Sequence, residues 1–424
     1  MSVNETTTVE WRGTCTDEEQ PKLPLRVGIA VAVGALLWTG PYLGITAVLQ
    51  PAKVAMLAGA DQKATILAML STVGMVSATI ANIVFGALSD MTRSRWGRRT
   101  PWMIFGSIAT FAVIVTMYYV NSVPVLITLW GLEQVVQNAL AAPLLAVIAD
   151  RVAPRHRGVI SSIYAFGGGF GPQLGQLVGA QLLATMATGY WVMAGATLLS
   201  GPIAALLMRE PSSLGMPKKK FDKRVLTQNF SIPLHDCRDF YFALFGKFLI
   251  VTALFAVSTY QLYIFTDYMG LDQTGAGKYI SIMSVCSMGC MLVATLISGP
   301  VSDKIHSRRI PVMLSSVLIG VGVLIPFINA SPWTMVLYSI IASGIGNGIY
   351  SAVDQALNIE VLPDPNTAAK DLGILNLAAC GGQIVGPIVN AALIATWGYR
   401  AIFPCAAVFA CVGAVFIFFI KKVK

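Results

Sequence analysis

The chain is patterned as long, nearly unbroken apolar runs separated by short polar segments. A run of about 20 apolar residues is the length that crosses a bilayer as a helix. Twelve are expected, near 26–49, 64–88, 101–120, 124–149, 159–183, 190–208, 240–265, 276–301, 310–328, 334–359, 371–395 and 400–420. The runs are continuous and do not alternate, so they predict helices rather than barrel strands. Several contain Gly or Pro, which membrane helices tolerate. The longest polar stretch separates six spans from six. The expected architecture is an all-α membrane protein. It has a tail at 1–24, a six-helix half at 25–208, a linker at 209–239, a second half at 240–420 and a tail at 421–424.

Composition sharpens this picture. The 424 residues are 55% hydrophobic and only 12% charged, too few charges to cover a soluble surface. The same balance excludes intrinsic disorder. The net charge of +9 suggests a nucleic-acid surface until the charges are placed. Of 29 Lys and Arg, 25 fall on the side of both termini; Lys53, Lys63, Lys278 and Arg400 fall on the other. The positive-inside rule then puts both termini in the cytoplasm of a multi-pass cell-membrane protein. The charge is a topology signal, and no nucleic-acid partner is expected. The basic cluster at 218–224 reads as part of a solvated linker.

The first 24 residues are polar and partly acidic, unlike a signal peptide. The seven cysteines form no CxxC pattern and read as free thiols. His156, His235 and His306 are dispersed, so no metal is expected. There is no nucleotide-binding GxxxxGK[ST] and no loop long enough for a catalytic domain. An enzyme is not expected.

The chain repeats itself. Gly86, Ser89, Asp90, Arg98 and Arg99 after span 2 are echoed by Gly299, Ser302, Asp303, Arg308 and Arg309 after span 8. Gly158, Gly167, Gly171, Pro172 and Gly175 in span 5 are echoed in span 11 by Gly373, Gly382, Gly386, Pro387 and Asn390. Asp150 closes span 4 as Glu360 closes span 10. Such parallel repeats are a transporter architecture, with the solute site between the halves near mid-membrane. Gly167, Gly171, Gly175 and Gly179 form a stripe that lets two helix backbones approach closely. Pro172 and Pro387 each delete a backbone hydrogen bond and allow a bend.

Twelve spans, two parallel halves and GALSDMTRSRWGRRTPW at 86–102 together resemble the major facilitator superfamily. Within it, the loop is most similar to the glycoside–pentoside–hexuronide cation symporters and the sucrose-type carriers. The resemblance implies a cytoplasmic latch. Asp90 would cap the N-terminus of span 11, and Arg98 or Arg99 would meet Asp150. The second-half copy would be Asp303, Arg308 or Arg309, and Glu360. The latch is expected to close in the outward-facing state and break in the inward-facing one. The span-5 glycines also resemble the signature of drug:proton antiporters, but position 176 is Gln and span 4 has Gln134 where those carry Arg. The paired span-2 acids of melibiose-type symporters are missing.

Ionisable residues deep in a membrane are costly and mark functional candidates. Glu133 in span 4 and Asp354 in span 10 stand out. Each belongs to a polar helical stripe: Glu133 with Gln137, Gln134 with Asn138, and Asp354 with Asn347 and Asn358. Gln173 and Gln176 in span 5, and Asn376 and Gln383 in span 11, form similar faces. Faces rich in amides suit a wet cavity that binds hydroxyl groups. Trp38, Tyr42, Tyr260, Gln261 and Tyr263 add candidate stacking and polar contacts. These residues point to a secondary carrier for a small polar solute, a sugar or glycoside, acting as a monomer. A coupling proton or sodium ion is expected in place of a cofactor, with Glu133 the candidate proton carrier. The alternative is an exporter of amphipathic organic compounds.

Overall fold

The computed structural model describes residues 15–217, 237–305, 307–362 and 368–421. The basic cluster, most of the 209–239 linker, the first part of the N-terminal tail, His235 and His306 lie outside the described residues.

The apolar runs fold as twelve long helices. These are α1 (Leu25–Leu57), α2 (Lys63–Met91), α3 (Thr100–Tyr119), α4 (Val123–Arg151), α5 (Pro154–Gln181) and α6 (Met186–Met208). The second half contains α7 (Arg238–Ser258), α8 (Gln273–Lys304), α9 (Arg309–Ile328), α10 (Pro332–Glu360), α11 (Ala368–Trp397) and α12 (Ile402–Phe418). Among the described residues, 11 helices have both the length and the apolar character to cross a membrane. The remaining one, α5, has 28 residues, but its basic start, glycines and glutamines make it less apolar than the sequence expectation of twelve equal spans.

Two further boundaries differ from expectation. Helix α1 runs eight residues past 49, through Gln50-Pro51-Ala52-Lys53. These polar positions are inside the protein: Gln50 and Lys53 are buried, and the Lys53 ammonium donates to the Tyr118 carbonyl at 2.7 Å, at the C-terminal end of α3. Lys53 is therefore not the loop cation expected. Lys247, one of the 25 basic residues assigned above to the side of both termini, sits well inside α7.

The duplication is visible in packing. In the first half α1 packs on α5 and α6, α2 on α4, and α3 on α4 and α6. In the second half the same pairs recur six helices later: α7 on α11 and α12, α8 on α10, and α9 on α10 and α12. The glycine stripe makes the α1–α5 contact. A side chain at Gly175 would begin 1.7 Å from the Gly40 carbonyl oxygen. In the second half Gly382 and Gly386 bring α11 against Phe248, Thr252 and Ala256 of α7, and the Asn390 amide donates to Ala256 O at 2.7 Å. The stripes thus join helices within a half.

Between the halves, α5 meets α8 and α2 meets α11. These contacts are concentrated away from the Asp90 end. The Ser287 hydroxyl donates to Gln173 at 2.9 Å, and Gly277 abuts Ala180 O. Toward the Asp90 end the same four helices part. Where a side chain would begin at Gly86, Gly158, Gly168, Gly299 or Gly373, no neighbouring helix among the described residues comes within 4 Å. The molecule is closed at one end and open at the end carrying Asp90.

Candidate functional site

At the closed end, residues from both halves are bonded to each other. Helix α7 continues into a short turn, Gln261–Tyr263, and a π-helical turn, Ile264–Tyr268. Its counterpart α1 has a π-helical turn at Ile45–Leu49. Wide turns of this kind re-aim side chains. The Tyr263 hydroxyl donates to Pro51 O at 2.8 Å. The Tyr260 hydroxyl lies 3.1 Å from Ala64 O and 2.8 Å from Pro387 O. Lys63 pairs with Asp267 at 2.5 Å and lies 4.6 Å above the Tyr263 ring. Tyr399 also donates to Asp267, at 2.8 Å. Tyr260 and Tyr263 therefore seal this end rather than presenting rings to a solute. Lys63 and Asp267 were missed because their sequence neighbourhoods read as loops.

Beneath the seal lies a small cavity of about 30 Å³, lined by Tyr42, Thr46, Gln50, Ser71, Trp130, Gln134, Thr259 and Gln383, with Leu67, Gly74, Met75 and Phe255. Tyr42 and Trp130 stack with ring centres 6.2 Å apart. Trp130 extends the Glu133–Gln137 stripe of α4 by one turn, a spacing legible in the sequence. Glu133 is fully buried next to this wall. One of its oxygens accepts from the Gln134 amide at 2.7 Å; the other has no partner among the described residues. The Gln137 and Gln50 amide nitrogens and the Trp38 indole N–H are buried and similarly unpartnered.

Other candidates go elsewhere. Asn138 accepts from Asn82 at 3.1 Å and donates to the Gln134 carbonyl, tying α4 to α2. Gln173 belongs to the α5–α8 contact described above. Gln176 and Gln261 are buried, and Asn376 is exposed. The Asn347 amide oxygen accepts from Ser351 at 3.4 Å. Asp354 takes hydrogen bonds from Lys247 at 2.7 Å and Asn358 at 2.8 Å. Lys247 has no counterpart among the sequence candidates.

At the open end, the charged loop folds onto its own half. Arg98 meets Asp150 at 2.5 Å, and Arg99 meets Asp150 at 2.8 Å and Asp90 at 2.5 Å. Glu210, after α6, accepts from the backbone N–H groups of Arg98 at 2.9 Å and Thr100 at 2.8 Å. It satisfies donors that the start of α3 would otherwise leave open. In the second half Arg308 pairs with Asp303 at 2.5 Å and contacts Glu360 at 3.5 Å. Arg309 instead caps the end of α12, donating to Ile420 O at 2.8 Å. The start of α11, where Asp90 is expected to cap, borders 363–367, which lie outside the described residues. Among the described residues Asp90 bonds only Arg98 and Arg99, and its side chain is 52% exposed.

Known proteins agree with this geometry. The sequence profile described as Major Facilitator Superfamily matches residues 41–292 and 248–424. Multidrug resistance protein MdtG of Enterobacter lignolyticus is 25% identical over 279 residues, covering 64% of this chain and 63% of that protein. An uncharacterized symporter of Synechocystis is 50% identical over 44 residues, covering 10% of this chain and 8% of that protein. Among solved structures, a D-xylose-proton symporter superposes with a TM-score of 0.69 at 13% identity, covering 94% of this chain and 98% of that one. A bacterial homolog to the human lysosomal transporter Spinster, inward-facing and unoccupied, gives 0.68 at 15%, covering 96% and 99%. The profile spans nearly the whole chain: the protein belongs to the Major Facilitator Superfamily.

Proposed function

We propose that this transporter carries a small neutral polyhydroxylated solute, a sugar or glycoside, together with a proton. The observation that carries the reading is the cavity wall, where amides and hydroxyls of Gln50, Ser71, Gln134, Thr259 and Gln383 surround the stacked Tyr42 and Trp130. Amides offer paired donors and acceptors to hydroxyl groups, and ring faces pack against the C–H faces of a pyranose. The loop at 86–102, resembling the glycoside–pentoside–hexuronide symporters, supports the same reading. Glu133 is the proposed coupling residue. It is fully buried and has no cationic partner among the described residues. An uncompensated carboxylate is costly inside a membrane, so a proton accompanies it through the cycle. On this reading the Asp90 end is cytoplasmic and the structure is inward-open.

A second reading, export of amphipathic compounds, is favoured by the likeness to a multidrug resistance protein and by Met75, Leu67 and Phe255 in the wall. A thermal-shift screen of the purified chain separates them. Sugars and glycosides are expected to raise the unfolding temperature. Stabilisation by amphipathic drugs alone would favour export.

A further inference from the structure

Glu133 has more hydrogen-bond donors around it than it uses. The Gln134 amide engages one carboxylate oxygen at 2.7 Å, and the other oxygen is buried without a partner among the described residues. Two buried N–H groups nearby are equally unengaged among those residues, the Gln137 amide and the Trp38 indole. Gln137 stands four residues after Glu133 on α4, so the two side chains are neighbours on one helix face. Trp38 is placed by the seam between α1 and α4, which run antiparallel. Toward the sealed end Tyr42 stacks on Trp130, and toward the open end Gly34 abuts Leu144. Trp38 is midway between Gly34 and Tyr42, and Gln137 is midway between Trp130 and Leu144. The two therefore lie at one level of the seam. Trp38 also packs against the cluster that contains Leu140 and Leu144 of α4.

The chemistry of this group is one-sided. An ionised carboxylate only accepts and has room for several donors, whereas a protonated one must also donate. The indole N–H can only donate. Three N–H groups beside one acid suit its charged form, which burial alone disfavours. Other titratable groups facing Glu133 are few. Tyr42 of α1 is close enough to interact with it electrostatically, and Cys380 of α11 stands beside that ring. Helices α2 and α3 also pack on α4, and neither carries a titratable residue between Lys63 and Asp90 or between Arg99 and Tyr118. We propose that Gln137 and Trp38 are positioning residues that donate to Glu133 once it gives up its proton. The proton passes to water when the cycle exposes the acid, and the electron pair of the O–H bond stays on the carboxylate. Gln134 holds one oxygen; Gln137 and Trp38 take the other, so that no bare charge is left in the membrane. This rests on the proton-coupled reading above and adds how the coupling proton is released.

The test is an infrared titration of the purified full chain in lipid vesicles, which needs no solute. The carboxyl band that Glu133→Gln removes is followed against pH in the wild type, Gln137→Leu and Trp38→Phe. Each variant deletes one side-chain donor and keeps much of the bulk. Donors favour the charged form of an acid, so deleting one is expected to move the titration midpoint to higher pH. The expected shift is about one to two pH units, the scale of a hydrogen bond to a charged group. Trp38→Phe retains an aromatic ring in the seam, so it carries the test if Gln137→Leu does not fold. Midpoints unchanged or lowered in both variants would overturn the inference and leave the coupling reading standing. If Glu133→Gln removes no titrating band, Glu133 exchanges no proton, and the coupling reading falls with the inference.

Discussion

Gly175 has no room for a side chain. A methyl group there would overlap the Gly40 carbonyl, whereas the space beside Gly168, seven residues away on the same helix, is empty. Gly175→Val is expected to cost about 1–3 kcal/mol by overpacking and to lower the unfolding temperature. Gly168→Ala is expected to leave it unchanged or raise it slightly. Equal unfolding temperatures for the two variants would show that the α1–α5 contact yields. The same scale explains which polar residues were legible in the sequence. Glu133, Gln134 and Gln383 stand out because a polar group in an apolar run must meet water, a partner or a ligand. The sequence does not say which. Asn138 lies on a stripe with helical spacing too, but the Asn82 amide of α2 and the Gln134 carbonyl of its own helix already engage it. Lys247 was read as a topology charge because it stands near the start of an apolar run. Only the fold brings Asp354, 107 positions away, to its ammonium.

At the scale of elements, the helices were readable and their ends were not. Continuous apolar runs fix where a helix lies, but the last turns of α1 carry Gln50 and Lys53, whose burial is supplied by α3. Tertiary contacts, invisible to local hydropathy, extended that helix. The same blindness hid the seal. Tyr263 and Tyr260 read as candidate solute contacts, yet their hydroxyls bond Pro51 and Ala64 of the opposite half. The Lys63–Asp267 pair joins α2 to the end of the α7 extension across the same boundary. It must break for this end to open. A partly exposed pair contributes about 1 kcal/mol, which shifts a two-state population roughly fivefold. Lys63→Glu is therefore expected to speed labelling of a cysteine placed at Thr46 by an impermeant thiol reagent added from the sealed side. Adding Asp267→Lys is expected to restore the slow rate. Unchanged labelling in Lys63→Glu would show that the tyrosine bonds alone hold the seal.

At the scale of the molecule, duplication was legible as spaced glycines and charges, and the structure returns it as matched helix pairs six apart. The open end was not legible, because a sequence that alternates encodes both states. In this state the arginine–aspartate clusters are formed within each half. A seal made of few bonds at one end and helices parted at the other suit a molecule with two states that a bound ligand can bias. The central claim is that Glu133 couples this cycle to a proton. It is tested most directly in proteoliposomes holding the wild type or Glu133→Gln, with a labelled sugar that binds the wild type. The wild type is expected to accumulate the sugar when the proton gradient is imposed. Glu133→Gln is expected to lose accumulation while retaining counterflow exchange. Undiminished accumulation by Glu133→Gln would contradict the account.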